Sequence, residues 1–296
     1  MTPPQALILL NPHAGTADEA APLRRWAQAR GHELVETRDP EDARSRAVAA
    51  AREDRLVIAA GGDGTLHGIA GALLQCGAPC PRLGVAPLGT GNDFVRSLNY
   101  PERLEEVLEL IDAERVLPVD AVDASFDGEA CAYLNVGSVG VAGELAAELE
   151  AEAKRRWGPL AYVWAALSKA PQASPYELEV ACDNARSVRG AFLNVVVANG
   201  IYAGGGYRIA PDARLDDGLL QVYAVRDGSW LERVGVAAHV ALGDAAASDS
   251  VHPFSAREVH IRALAPVPVD LDGEPRGEFR SLHFAVRSAA LRILVP

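Results

Sequence analysis

Three short segments carry residue types that can hold a phosphate. In Leu56-Val-Ile-Ala-Ala-Gly61-Gly62-Asp63-Gly64-Thr65-Leu66-His67, an apolar run reaches three glycines in four positions and then a helical stretch that Thr65 can cap. Glycines let the backbone approach a ligand closely, and the free N–H groups at a helix start attract an anion. A bare Asp63 carboxylate would repel phosphate, which implies a divalent ion or a set of N–H donors beside it. The same glycines would also serve a tight strand-to-helix connection with no ligand. A second turn of this kind is Leu83-Gly-Val-Ala-Pro-Leu-Gly89-Thr90-Gly91-Asn92-Asp93-Phe94, and Asn11-Pro12-His13-Ala14-Gly15 follows the first apolar run. Phosphate-type loops on one rim of a sheet make a nucleotide pocket. A P-loop is excluded, because its Gly-Lys-Ser/Thr is absent and the only lysines are Lys154 and Lys169. The dinucleotide fingerprint also fails, since Gly61-Gly62-Asp63-Gly64 lacks its spacing and puts an acid where the pyrophosphate packs.

The elements that must position these loops alternate. Ala6–Leu10, Glu33–Glu36, Leu56–Ala60 and Leu83–Ala86 read as strands, each followed by a helical stretch: Ala17–Arg30, Pro40–Arg52, Thr65–Cys76 and, after a turn, Glu102–Asp112. That succession predicts right-handed crossovers and a mostly parallel sheet in an α/β domain over residues 1–118. Beyond Val119 the rhythm changes. Val119–Phe126, Asp127-Gly128 and Glu129–Gly137 read as a hairpin, because Asp-Gly supplies the positive φ angles of a tight turn. A second hairpin is expected at Tyr176–Cys182 and Ala185–Asn199. Further strands are expected at Gly218–Val225, Arg257–Leu264, Val267–Leu271, Leu282–Val286 and Leu291–Val295. Residues 119–287 are expected to form an antiparallel β-sandwich, with strand 288–296 returning to the first domain. Two helical inserts are predicted, Gly143–Lys169 and Ser229–Gly243. In the first, Lys154-Arg155-Arg156-Trp157 stands beside Leu160, Tyr162, Val163 and Trp164, a mixture that suits a membrane surface or a core-packing helix with a solvated basic end.

Composition narrows the classes. A chain of 296 residues, 49% hydrophobic and 23% charged, has globular composition and room for two domains. Its 28 basic and 40 acidic residues leave a net charge of −12, which disfavours duplex nucleic acid. Four scattered cysteines and the lack of a basic leader before Ala6–Leu10 read as a cytoplasmic protein with buried thiols. No run approaches the roughly 18 apolar residues of a spanning helix, so any lipid contact is expected to be peripheral.

Gly61-Gly62-Asp63-Gly64-Thr65 together with Pro87-Leu-Gly89-Thr90-Gly91-Asn92-Asp93-Phe94 resembles the catalytic domain of the diacylglycerol kinase and sphingosine kinase family, closest to its soluble bacterial lipid kinases. Asn135-Val-Gly137, Asn199-Gly200, Gly204-Gly205-Gly206, Pro211-Asp-Ala213, Asp217-Gly218-Leu219-Leu220 and Asp270-Leu-Asp272-Gly273-Glu274 follow in family order. The resemblance implies a Rossmann-like N-terminal α/β nucleotide domain and a C-terminal β-sandwich, with ATP and lipid meeting in a cleft between them. It assigns Asn11, Pro12, His13, Ala14, Gly15, Thr37, Gly61, Gly62, Asp63, Gly64, Thr65, Leu66, His67 and Thr90 to the ATP site, with Asn92 and Asp93 shaping the phosphate region. It makes Glu274 the proton acceptor for the lipid hydroxyl and Asp272 the rival base. Magnesium would fall on the Asp217 carboxylate and the main-chain oxygens of Arg214 and Leu219. Without the resemblance, Asp272-Gly273-Glu274 reads as a plain hairpin turn. One departure stands out: Ala14-Gly15-Thr16 lacks the hydroxyl and the basic residue that the family often carries there, and Arg24 or Arg25 could compensate. The expected activity is transfer of the γ-phosphoryl group of ATP to a lipid hydroxyl. The alternatives are a kinase of a soluble substrate such as NAD and a silent nucleotide- or lipid-binding regulator.

Overall fold

The computed structural model describes residues 6–17, 20–77, 80–141, 174–183 and 186–296. The predicted insert Gly143–Lys169, with its Lys154-Arg155-Arg156 cluster, lies outside them. The chain divides into two compact units, Met1–Ala121 with Ser288–Pro296, and Val122–Arg287.

The first unit holds strands β1 (Leu7–Leu10), β2 (Glu33–Glu36), β3 (Val57–Gly61) and β4 (Arg82–Pro87), all parallel, in the order β4-β3-β1-β2. Strands β1 and β3 are buried at every residue, as an apolar run between two helix layers must be. The end of β15 (Glu274–Leu294) adds beside β4, with Arg292 and Ile293 opposite Arg82 and Leu83. Helices α1 (Ala21–Arg30), α2 (Pro40–Arg52), α3 (Asp63–Gln75), α4 (Asp93–Ser97) and α5 (Leu104–Ala113) complete the unit. Helix α2 starts where Asp39 accepts the Asp42 N–H at 2.8 Å and Pro40 opens the first turn. Helix α1 begins at Ala21 rather than Ala17, with Pro22 in its first turn, where a missing N–H costs nothing. The first apolar core gathers Ile8, Leu10, Leu23, Ile58, Leu108 and Ile111.

The second unit is a β-sandwich-like assembly. Its strands are the latter part of β5 (Val116–Phe126), β6 (Glu129–Tyr133), β7 (Val136–Gly140), β8 (Tyr176–Cys182), β9 (Arg186–Ala198), β10 (Tyr202–Ala203), β11 (Tyr207–Arg208), β12 (Leu220–Arg226), β13 (Val251–Ala256), β14 (Glu258–Leu271) and most of β15. Asp127 and Gly128, with φ of 48° and 97°, make the tight turn between β5 and β6. Strands β9 and β14 each pair with β8 along one half and with β7 along the other. Val195 and Val197 enter a core with Phe192, Val259, Ile261, Leu282 and Phe284, whereas Val196 and Ala198 enter another with Tyr223 and Val236 of α6 (Trp230–Ala241). Burial on both faces explains the unbroken apolar character of that half of β9.

Several expected boundaries differ. The separate strands Arg257–Leu264 and Val267–Leu271 are one, β14, whose register shifts between Arg262 and Val267, around Pro266. Leu282–Val286 and Leu291–Leu294 likewise belong to the single strand β15, which ends before Val295. Glu129–Gly137 is two strands separated by Leu134 and Asn135.

Candidate active site

In the first unit, the loops leaving β1, β3 and β4 emerge at the carboxyl ends of the strands, where β1 lies between β2 and β3 and the order reverses. They are held together at glycines. A Cβ on Gly61 would stand 2.5 Å from Thr65 Oγ1, and one on Gly89 would stand 2.6 Å from the Cα of Gly62. A Cβ on Gly15 would lie 3.3 Å from Thr90 Cγ2. Hydrogen bonds lock the same loops: Leu88 N–H donates to Gly61 O at 2.8 Å, and the N–H and hydroxyl of Thr16 donate to Leu88 O at 3.0 and 3.2 Å.

Helix α3 starts at Asp63, with extended Gly62 as its cap residue, so the expectation that Thr65 caps it is corrected. Thr65 Oγ1 instead accepts from Asn11 Nδ2 at 2.9 Å, while Asn11 Oδ1 accepts the His13 N–H at 2.9 Å. Thr37, buried at the end of β2, donates its hydroxyl to Leu10 O at 3.3 Å. Asn92 sits at φ 54° and clasps its own loop, accepting the Gly89 N–H at 3.2 Å and donating to Gly89 O at 2.8 Å. The structure therefore brings Asn11, Gly15, Gly61, Gly62, Thr65, Thr90 and Asn92 into one cluster of loops. Ala14 and Leu66 face apolar packing, His13 is exposed, and the ring nitrogens of His67 are buried one helical turn beyond Asp63. Asp93 is buried in the first turn of α4.

Asp63 Oδ1 is buried and has no hydrogen-bond partner among the described residues. Beside it, a methyl group on Gly64 would meet nothing within 4 Å, and the first amides of a helix have no acceptor inside it. A buried, unsatisfied carboxylate oxygen is costly unless something else binds it. An orphan oxygen, open space and a helix start are the features that a nucleotide phosphate with a divalent ion would use.

In the second unit, Asp272 and Gly273, with φ of 53° and 83°, form the turn between β14 and β15. The Asp272 carboxylate reaches into the break between β6 and β7. Its Oδ1 accepts the N–H groups of Asn135 and Val136, both at 2.9 Å, and its Oδ2 accepts that of Leu134 at 3.0 Å. Around this turn, Asn135 Nδ2 donates to Tyr202 O at 2.7 Å, Asn199 Nδ2 to Leu134 O at 2.8 Å, and Tyr133 to Val197 O at 2.9 Å. Burial, with the Asp272 charge adding to it, pushes the Tyr133 phenol well above the usual tyrosine range, keeping it a neutral donor. Asp270 accepts the Gly273 N–H at 2.9 Å. Glu274 differs: its carboxylate is 57% exposed and its ion-pair partner, Arg276, stands 3.8 Å away. Sequence reasoning missed the amides of residues 134–136 as the anchor of Asp272. The available signal was the polar pair Asn135 and Asn199 directly at the ends of apolar strands.

In the loop before β12, Asp217 Oδ1 accepts the Leu219 N–H at 3.0 Å, and Arg214 pairs with Asp216 at 3.5 Å. The second Asp217 oxygen and the main-chain carbonyls are hard oxygen donors, which suit magnesium or calcium.

The comparisons agree with this architecture. Residues 5–124 match the model of the diacylglycerol kinase catalytic domain, and residues 115–295 match that of the YegS C-terminal NAD kinase beta sandwich-like domain. The chain is 31% identical over 261 residues to proteins named "Probable lipid kinase YegS" from Escherichia coli strain SMS-3-5 and Shigella boydii serotype 18, across 86% of this chain and 81% of each relative. A crystal structure described as a "putative diacylglycerol kinase" from Bacillus anthracis superposes with a TM-score of 0.83 at 25% identity, covering 100% of this chain and 96% of that one. An NAD kinase from Archaeoglobus fulgidus in complex with ATP, with a TM-score of 0.56 at 14% identity over 98% and 93% of the two chains, shares the fold. With loops clasped at the strand ends of one unit, a carboxylate turn in a sandwich-like other, and both family models spanning residues 5 to 295, this chain belongs to the diacylglycerol kinase catalytic-domain family, in its YegS branch.

Proposed function

We propose that the chain is an ATP-dependent lipid kinase that moves the γ-phosphoryl group of ATP to a free lipid hydroxyl. The observation that carries the donor half is the buried, unpartnered Asp63 Oδ1 beside open Gly64 and the start of α3. In this reading the loops at Asn11–Gly15, Gly61–His67 and Thr90–Asn92 hold ATP, with Thr37 bracing the rim and Asp93 shaping the phosphate region. Magnesium, when bound, neutralises phosphate charge. Asp63 is its candidate ligand there, and Asp217 with the carbonyls of Arg214 and Leu219 a second candidate site. Glu274 takes the proton from the lipid hydroxyl; the hydroxyl oxygen bonds to the γ-phosphorus, and the bond from that phosphorus to the β–γ bridging oxygen breaks to release ADP. Asp272, whose oxygens are occupied by backbone amides, positions the turn that carries Glu274.

Lipid as substrate, together with the similarity to proteins named lipid kinases, supports peripheral contact with a membrane. Among the described residues no helix is long and apolar enough to cross one. Incubation with labelled ATP, magnesium, a lipid panel and NAD tests the reading. Label is expected in a lipid product and lost in Asp63→Ala, with that variant still folded. Label on NAD alone, or wild-type turnover by Asp63→Ala, would refute it.

A further inference from the structure

Besides the residues of the proposed reaction, β14 and β15 bring two histidines and a carboxylate together. Val259 and Ile261 of β14 point into the core at 0% exposure, so the alternating residues Glu258 and His260 share the outer face. His260 stands directly opposite His283 of β15, whose neighbours Leu282 and Phe284 are also core residues. The two imidazoles stack with centroids 4.4 Å apart and planes 17° from parallel. One ligand atom from each of Glu258, His260 and His283 lies within 4.8 Å of the others. The residues opposite are small: Ala285 faces Glu258 across β15, and Ala181 faces His260 across β8. His283 Nε2 is buried without a hydrogen-bond partner among the described residues.

We propose that Glu258, His260 and His283 bind one zinc-class divalent ion through two imidazole nitrogens and a carboxylate oxygen, clamping β14 to β15. The donor set decides the class of ion. Imidazole with one carboxylate suits zinc, cobalt or nickel, whereas magnesium and calcium take oxygen donors, so the site is chemically distinct from the Asp217 loop. Three protein ligands leave the remaining coordination positions to water. Metal–nitrogen bonds of about 2.0–2.1 Å place tetrahedral ligand atoms about 3.3 Å apart. The stacked rings must therefore splay by rotation about their own side-chain bonds, which the flanking alanines permit. The ion also satisfies His283 Nε2, which the described residues leave unpaired.

The full chain, stripped with EDTA and dialysed, is titrated with cobalt and with zinc. One equivalent is expected to bind, giving a visible cobalt spectrum without the near-ultraviolet band that a cysteine thiolate would add, and zinc is expected to raise the unfolding temperature. His260→Ala/His283→Ala is expected to weaken that equivalent by about 100-fold or more and to abolish the thermal shift, while His239→Ala changes neither. Glu258→Gln, at an exposed position, decides the matter if the double variant does not fold, and it too must lose affinity. Absence of binding by the wild type, or unchanged affinity in Glu258→Gln, would overturn the assignment and leave the histidines a stacked pair only.

Discussion

Asp272 and Glu274 stand two residues apart, and their surroundings predict opposite consequences for the same change of acid to amide. In Asp272→Asn the side-chain oxygen can still accept the Asn135 and Val136 amides, but the new NH₂ faces the Leu134 N–H that Oδ2 now accepts. Asparagine tolerates the φ of 53° at this turn, so backbone strain does not confound the comparison. One orphaned amide costs about 1–3 kcal/mol, and bonds to a charged acceptor drop from about 1.5–3 to about 1 kcal/mol each when the charge is lost. The expected destabilisation of the second unit is about 2–7 kcal/mol, read as a lower urea midpoint at unchanged slope. Glu274→Gln removes an exposed carboxylate with a distant arginine and is expected to shift stability by less than about 0.5 kcal/mol. Its kcat with lipid should fall by about 10²–10⁴-fold while the KM for ATP stays near wild type. Full stability of Asp272→Asn would refute the anchoring role. An active Glu274→Gln beside a stable, inactive Asp272→Asn would reverse the assignment of the base.

The glycine contacts predict a contrast within the first unit: Gly89→Ala drives a methyl onto the Gly62 backbone and should cost about 1–3 kcal/mol, whereas Gly64→Ala has open space, should hold or raise stability by up to about 1 kcal/mol, and should raise the KM for ATP. Thermal unfolding and initial rates check both. The Arg38 side chain, with Arg46 assisting, holds the Asp42 carboxyl well below the usual carboxylate range. Asp42→Asn should therefore lower the urea midpoint at pH 7, and the difference should close as the pH falls below about 4, the ordinary aspartate value, towards the depressed one. Neutralising Lys154, Arg155 and Arg156 together should weaken binding to anionic vesicles by roughly 1 kcal/mol per basic residue, more at low salt than at high salt. Unchanged sedimentation with vesicles would refute the membrane reading of that segment.

The first unit was readable because each signal is local. Asp39-Pro40 opens α2 where the chain pattern places it, and apolar runs buried on both faces stand out as β1 and β3. Helix α4, only five residues long, has no periodicity to read. Strand β13 was missed because Pro253 and alternating polar residues disguise it, although proline is tolerated where a strand pairs on one side only, as β13 does with β12. Prolines also made β14 read as two strands, since the change of partner from β8 to β7 that a bulge permits is a tertiary event. The same limit applies to the carboxylates. The Asp272-Gly273 turn is legible from its residue types, whereas its acceptor role depends on amides 136 to 138 residues away. Periodicity within one strand carries no information at that distance.

The two units thus position their candidate residues by different physics. In the first, precision comes from atoms that are missing: Gly61 admits Thr65 and Gly62 admits Gly89 at distances a Cβ would not allow, and Gly15 lies tightly against Thr90. In the second, it comes from a charge that is present, since one carboxylate gathers consecutive backbone amides from a strand break and fixes the turn that presents Glu274. The first arrangement fails on an added methyl and is indifferent to salt; the second fails when the charge is removed. A substitution series that sorted the other way, with Gly89→Ala benign and Asp272→Asn benign, would mean that neither contact set determines where the reacting groups stand.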